Sequence, residues 1–337
     1  MMKIIGHQKQ WRFLKKTVEL GRLPHAYLFS GPSQIGKKTL ALELIKFLNC
    51  QSESLEIRPC QTCKNCRDIE KKIYPDFVTV EPENKNSGST ITPSNQTRTS
   101  IQISQIRDLR WRLSLHPYEA KIKTVIIDQA DSMTQEAQSA FLKTLEEPKG
   151  KTLFILITSS PERLLPTILS RCEKLRFHPI PRNEIEDYLR ERGIPEKEMK
   201  KILQFCFGKT GLVLNFLSDP SRLEQQEKII EEVIKINELP LNSRFEYAKI
   251  LSNNEQNLKE ALVVFLRYFR GVLLSAARGK HLSPHPLPER SEGWRRTNVL
   301  RVGKLIKILK LTQNINFLVS TTNINSKLAL EILLMEL

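Results

Sequence analysis

Up to about residue 177 the chain alternates short apolar runs with stretches of helical period. Continuous apolar segments at 26–29, 77–80, 124–128 and 153–158 have strand length and β-branched or aromatic content. Between them, 37–48 and 135–145 carry apolar residues at three- and four-residue spacing and read as helices. Strands that are apolar throughout, separated by helices, predict a parallel sheet with helices on both faces. Beyond Pro179-Ile180-Pro181 the pattern is helical only. Asn183 can cap a helix over 184–192, Pro195 restarts the chain, and 203–217 reads as short helices around Gly208 and Gly211. Asp219-Pro220 marks a boundary, after which 222–237, 243–251, 258–278, 299–311 and 326–337 form long amphipathic stretches. The expected organisation is an α/β domain over 1–180, a small helical lid domain over 181–219 and an all-α domain over 220–337. The Asn-, Ser- and Thr-rich segment 81–100 and the proline-containing segment 280–296 read as loops. His281 and His285 in the second are ligand types, but solvent exposure is the expected state.

Gly31-Pro32-Ser33-Gln34-Ile35-Gly36-Lys37-Lys38 joins the first strand to the first of these helices. It follows the P-loop pattern G-x-x-x-x-G-K-[ST], in which backbone N–H groups and the lysine hold phosphates and the final hydroxyl binds Mg²⁺. Lys38 stands where the hydroxyl belongs, and Thr39 comes one residue late. Phosphate binding through Gly31, Gly36 and Lys37 survives this change. Mg²⁺ chemistry does not, because an ammonium beside a divalent cation repels it. The partner strand ends Ile126-Ile127-Asp128, suited to a metal-binding Asp, yet Gln129 follows where Glu would polarise the attacking water. Gln orients water without taking its proton. Both losses fall in one site and predict a nucleotide site that does not hydrolyse.

Cys60-x-x-Cys63-x-x-Cys66, with Cys50 ten positions earlier, brings four thiols into a short span. The set suits a closed tetrahedral zinc site, structural because no position stays open for catalysis. A redox or disulfide set and an iron–sulfur cluster are the alternatives on ligand type. Cys172 and Cys206 stand alone.

Three runs carry a family resemblance. Ile126-Ile127-Asp128-Gln129-Ala130-Asp131, Ala137 through Pro148 (AQSAFLKTLEEP) and Leu165-Pro166-Thr167-Ile168-Leu169-Ser170-Arg171-Cys172 resemble the clamp-loader branch of the AAA+ ATPases. Within it the likeness is to the delta-prime class of bacterial subunits, from about Ile5 to Ile180 and again over 323–331. The resemblance implies an AAA+ P-loop domain, a lid and a helical collar. It further implies a hetero-pentamer with gamma/tau ATPase and delta subunits, which opens a sliding clamp and places it on primed DNA at the expense of ATP. It makes Arg171, with Ser170 before it, an arginine finger reaching a neighbour's ATP, and gives Thr158 the sensor position. The cysteine cluster after the P-loop helix recurs in that family as a zinc module. Where active members carry a lid arginine, Gly208-Lys209-Thr210-Gly211-Leu212-Val213-Leu214 shows leucine, and only Lys209 could substitute in part. The competing readings are a hydrolysing clamp-loader or other AAA+ ATPase, with Thr39 and Gln129 serving unconventionally, and a plain nucleic-acid-binding adaptor.

Charge adds a partner class. Lys and Arg total 53 against 37 Asp and Glu, a net +16 that favours a polyanion. The basic residues are densest at 107–112, 182–192 and 290–301, and no groove-reading motif accompanies them, so DNA would be met through its phosphates. Trp111, between Arg110 and Arg112, could stack on a base, but its spacing reads as core. No run is long enough for a membrane helix and Met1 to His7 lacks a cleavable targeting pattern, so a soluble cytoplasmic chain without membrane partners is expected.

Overall fold

The structure, a computed structural model, describes residues 4–83, 100–148, 150–277, 298–321 and 325–336. Most of the first expected loop, all of the second, both of its histidines and the basic residues 290–297 lie outside the described residues. The chain divides into two compact units: Met1–Pro195 with Gly208–Leu212, and Glu196–Phe207 with Val213–Leu337.

The first unit is built on five parallel strands, β1 (Ala26–Ser30), β2 (Phe77–Val80), β3 (Lys123–Ile127), β4 (Thr152–Thr158) and β5 (Glu173–Arg176), in the spatial order β2-β3-β4-β1-β5. Helices α1 (Gln8–Glu19), α2 (Lys37–Asn49), α3 (Lys64–Glu70), α4 (Ile103–Ser114), α5 (Gln135–Glu146), α6 (Pro166–Arg171) and α7 (Arg182–Glu191) accompany them. The two faces of the sheet explain why the strands read as continuously apolar. Leu28, Val125, Ile127, Phe154 and Leu156 pack with Ile106, Leu109 and Leu113 of α4, Phe141 and Leu145 of α5 and Ile168 of α6. The alternate residues Tyr27, Phe29, Ile126, Ile155 and Ile157 pack with Leu14 of α1, Leu40, Leu44 and Ile45 of α2 and Ile69 of α3. Alternate side chains of one strand point to opposite faces, so both positions must be apolar when both faces are covered.

The strand β5 escapes an apolarity pattern because it is Glu-Lys-Leu-Arg, mostly exposed and paired only with β1. Charged side chains on such an edge discourage pairing with other chains. Trp111 is a correction to the sequence reading: it is 65 % exposed. The buried face of α4 is Ile106, Leu109 and Leu113, and at 3.6 residues per turn Trp111 falls on the opposite side.

The second unit is helical: α8 (Glu196–Phe205), most of α9 (Thr210–Ser218), α10 (Ser221–Glu238), α11 (Leu241–Ser252), α12 (Glu255–Ala277), α13 (Asn298–Thr321) and α14 (Ser326–Glu336). Leu258, Leu262 and Phe265 of α12, Ile308 and Ile315 of α13 and Leu330 and Leu333 of α14 form its core. Helix α13 runs ten residues beyond its expected end at 311. Thr312 looks polar in the sequence but is fully buried and donates its hydroxyl to the Ile308 carbonyl at 2.7 Å, so the buried stripe continues through Ile315 and Val319. No described helix is long and apolar enough to cross a membrane.

Candidate nucleotide site, surface arginine and cysteine cluster

The strand β1 delivers its last residue, Ser30, to the rim of the sheet, and the Gly31 N–H bonds the Thr158 carbonyl at the end of β4. At Gly31 (φ 149°) a Cβ would collide with the Phe177 carbonyl oxygen, so the backbone can pass only without a side chain. Gly36, at φ 96°, is the N-cap of α2. The loop between them is held from two directions. His7 Nε2 lies 2.7 Å from the Ile35 carbonyl, and the Gly211 N–H donates to the Gln34 carbonyl at 2.7 Å. The turn 208–212 therefore closes onto the P-loop.

The two lysines of this loop do different things. Lys37 is 6 % exposed, and its ammonium donates to the carbonyls of Gly31 and Pro32. Burial lowers its pKa to about 8, against the weaker pull of Asp131 and Asp128, while Lys209 adds to the lowering. Lys38 Nζ lies 2.7 Å from Asp128 Oδ2 and 2.9 Å from Glu81 Oε1. Burial opposes charge on Lys38, but hydrogen bonds to the two carboxylates outweigh it and raise its pKa. Glu81 Oε1 also accepts from Lys72 at 2.7 Å, and the hydrogen bonds from Lys72 and then Lys38 hold its carboxyl below the usual range. The other Asp128 oxygen accepts the Gln129 N–H at 3.0 Å. Lys38 thus pairs with the carboxylate expected to bind a metal ion, beyond the simple repulsion expected from the sequence. Glu81 and Lys72 complete the cluster, and nothing in their local sequence pattern marked them. Thr39, one residue further along α2, is rotated by about 100° from Lys38.

At the far side of Asp128 the chain turns through Gln129 at φ 50°. Asp131 then accepts the Thr158 hydroxyl at 2.7 Å and the Ser159 N–H at 3.3 Å. Thr158 is buried and engaged with its own chain rather than free for a ligand.

Arg171 lies at the other rim. Buried Gln138 of α5 accepts the Leu165 N–H at 2.8 Å and donates to the Arg163 carbonyl, fixing the start of α6, whose first residue is Pro166. Arg171 ends that helix, with one guanidinium nitrogen donating to the Thr167 carbonyl at 2.9 Å and another 2.7 Å from Glu146 Oε1. The Ser170 hydroxyl also donates to the Thr167 carbonyl. Strands β5 and β1 are parallel, with Glu173 opposite Tyr27 and Arg176 opposite Ser30. Strand β5 runs from Glu173 towards Phe177, which abuts Gly31, so Arg171 precedes the end of β5 that is remote from the P-loop.

The four cysteines expected to bind metal come together. Their Sγ atoms all lie within 4.8 Å of one another, close to the spacing of about 3.8 Å that four Zn–S bonds of about 2.3 Å would produce. Backbone N–H groups point at the sulfurs: Cys60 to Cys50, Cys63 to Cys60 and Cys66 to Cys63, at 3.3–3.4 Å. Such donors favour the thiolate, and the N–H groups of Cys63 and Thr62 bring Cys60 down to about 6. The residues present fit a four-thiolate metal ion. Behind them Lys46, 2 % exposed, donates to Glu43, Glu70 and Gln61 at 3.0–3.1 Å, and Gln61 donates to Glu43 at 2.7 Å. This network, buried at Lys46 and Glu43, joins the cysteine segment to α2 and was not foreseen. Cys172 is buried, with its thiol pushed up to about 12, and Cys206 is buried elsewhere.

The sequence has relatives among DNA polymerase III subunits. DNA polymerase III subunit delta' of Bacillus subtilis is 34 % identical over 65 % of this chain and 62 % of its own length. The protein of that name in Pseudomonas aeruginosa is 31 % identical over 63 % of this chain and 61 % of its own length. DNA polymerase III subunit tau of Escherichia coli is 33 % identical over 52 % of this chain but only 24 % of its own length. The chain thus spans less than two thirds of these relatives. The family described as DNA polymerase III, delta subunit, matches residues 6–181. That stretch carries the P-loop, the cysteine cluster and Arg171 together, and by it the chain belongs to this family.

Proposed function

We propose that this chain is a non-hydrolysing subunit of a clamp loader, working with gamma/tau-type ATPase and delta subunits in a hetero-pentamer that loads a sliding clamp onto primed DNA. The observation that carries it is the opposition of two sites. On one rim, Lys38 is paired with Asp128 and Glu81, where a metal ion would be needed for hydrolysis. On the other, Arg171 lies partly open to solvent before the end of β5 that is remote from the P-loop. An arginine so placed is suited to act in trans. Its planar, permanently charged guanidinium would meet the charge that develops on the γ-phosphate of a neighbour's ATP, a contribution of about 10³-fold or more in turnover. Ser170 braces the helix end. Asp128 and Thr158, engaged by Lys38 and Asp131, keep the positions of a catalytic site without its chemistry.

The cysteine cluster would hold Zn²⁺ as a structural ion, with Cys50, Cys60, Cys63 and Cys66 as its ligands. The helices α10 to α14 would supply the collar, 181–219 the lid, and the basic surface would meet DNA phosphates. The test is ATP turnover by a reconstituted loader, stimulated by clamp and primed DNA, with this chain or its Arg171→Ala variant and with assembly checked by size. Loss of about 10³-fold with intact assembly supports the reading. Undiminished turnover, or robust hydrolysis by the isolated chain, overturns it.

A further inference from the structure

The four cysteines are held by unequal supports. Cys50 is the C-cap of α2, and Cys66 stands in the first turn of α3. Buried Asn65 joins those two helices, its amide donating to the Asn49 carbonyl at 2.9 Å. Cys60, by contrast, lies on the irregular turn that leads into α3, and Cys63 is the N-cap at the end of that turn. Between them Gln61 sits at φ 62°, in the left-handed region that a non-glycine residue adopts only when its surroundings hold it there. The turn aims the Gln61 backbone N–H at the Cys66 sulfur, to which it is hydrogen-bonded.

The side chain of Gln61 reaches the other way, to α2. Its Oε1 accepts from Lys46 Nζ at 3.0 Å, and its Nε2 donates to Glu43 Oε2 at 2.7 Å. Lys46 Nζ also donates to Glu43 Oε1 at 3.1 Å, closing a ring of three side chains. The orientation of the amide in this ring is fixed, because an ammonium only donates and a carboxylate only accepts. Lys46 and Glu43 are 2 % and 4 % exposed and stand one turn apart on α2, so the amide is gripped by an ion pair that the helix has already placed. Glu70 of α3 accepts from the same ammonium at 3.0 Å, which brings both helices to one point behind the turn.

We infer that Gln61 is the positioning residue of the cysteine cluster: gripped by Lys46 and Glu43, it sets the turn that carries Cys60 and Cys63 at the spacing a four-thiolate metal ion requires. The inference rests on the reading of the cluster as a structural metal site and deepens it. Groups that orient metal ligands from behind typically contribute about 10- to 100-fold to metal affinity.

The experiment measures the Zn²⁺ dissociation constant of the full chain by competition with a chromophoric chelator, for wild type, Gln61→Met, Lys46→Met and the double variant. Absorption of each Co²⁺-loaded chain and melting of each metal-free chain are recorded beside it. Gln61→Met keeps the length of the side chain and leaves Lys46 with Glu43 and Glu70, so it removes the two hydrogen bonds without breaking the ion pair. Its Zn²⁺ affinity should fall at least about tenfold, while the saturated Co²⁺ spectrum remains that of four thiolates. In the Lys46→Met background the same substitution should cost little more, because the ring is already open. A glutamine that served the fold alone would lower the melting temperature of the metal-free chain and spare the dissociation constant. A loss of affinity below about tenfold, or equal losses in the two backgrounds, overturns the inference. Should Lys46→Met not fold, Gln61→Met against wild type decides. A wild-type chain that binds no Zn²⁺ sinks the metal reading and the inference with it, whereas wild-type binding that Gln61→Met leaves unchanged sinks the inference alone.

Discussion

Arg171 and Glu146 form an ion pair of 2.7 Å across the ends of α6 and α5, with both side chains partly open to solvent. An exposed pair of this kind contributes about 0–1 kcal/mol, little enough to be exchanged for another partner. If the guanidinium serves a neighbour's ATP, Glu146 is a resting partner only. Glu146→Ala should therefore leave the fold within about 1 kcal/mol and leave the assembled loader at least as active as wild type. Arg171→Ala should cost about 10³-fold. Paired measurement of denaturation midpoint and loader turnover for the two variants checks this. Equal losses in both would assign the pair a structural role instead.

The depressed Lys37 sets a pH dependence. In the free folded chain its pKa is about 8 against an ordinary 10.5, so between those values the unfolded chain binds more protons and the Lys37 contribution to stability rises with pH. A bound phosphate favours the charged form and lifts the pKa above 8. Phosphate affinity should then be flat below about pH 8 and fall above it, by up to about tenfold per pH unit where one proton is taken up on binding. Titration of ADP affinity from pH 7 to 9.5 measures it, and Lys37→Arg, which keeps its charge, should abolish the slope.

The buried network behind the cysteines should matter as much as the thiols. Removing the Lys46 ammonium leaves Glu43, also almost fully buried, without its cation, and breaking one partner of a buried pair costs about 3–5 kcal/mol. Lys46→Met is expected to lower the unfolding free energy of the P-loop unit by that amount, read from denaturation. The metal itself is predicted at one Zn²⁺ per chain by elemental analysis. Its removal by a chelator, or Cys60→Ser, should lower the melting temperature without changing the far-UV signal of the remaining helices.

These consequences divide between what residue types announce and what only folding assembles. The strands β1 to β4, the P-loop with its misplaced lysine, the four cysteines and Arg171 were all readable, because each depends on a local run. The strand β5 was not, since an exposed edge needs no apolar pattern. Nor were Glu81, which meets Lys38 across 43 positions of sequence, and Lys72, which meets Glu81, or Gln138, whose amide fixes the helix that carries Arg171. Long-range polar partners leave no periodicity, and a lysine that pairs with two carboxylates looks in sequence like one that pairs with none.

Trp111 separates two expectations for the basic helix α4. A core tryptophan would cost about 3–5 kcal/mol on truncation, but Trp111 is 65 % exposed and Leu109, on the opposite face, is buried. Trp111→Ala should therefore shift stability by no more than about 0.5 kcal/mol, whereas Leu109→Ala should cost about 2–5 kcal/mol. Denaturation of the two variants compares them directly. Arg107 lies one turn before it and Arg110 and Arg112 flank it, so if this surface meets DNA, loss of that contact rather than of fold is the expected phenotype. A Trp111→Ala loader should accordingly keep its fold and assembly while binding primed DNA more weakly, by about 1–3 kcal/mol if the ring stacks on a base. Unchanged DNA affinity would leave only the arginines, acting through phosphates, at this surface.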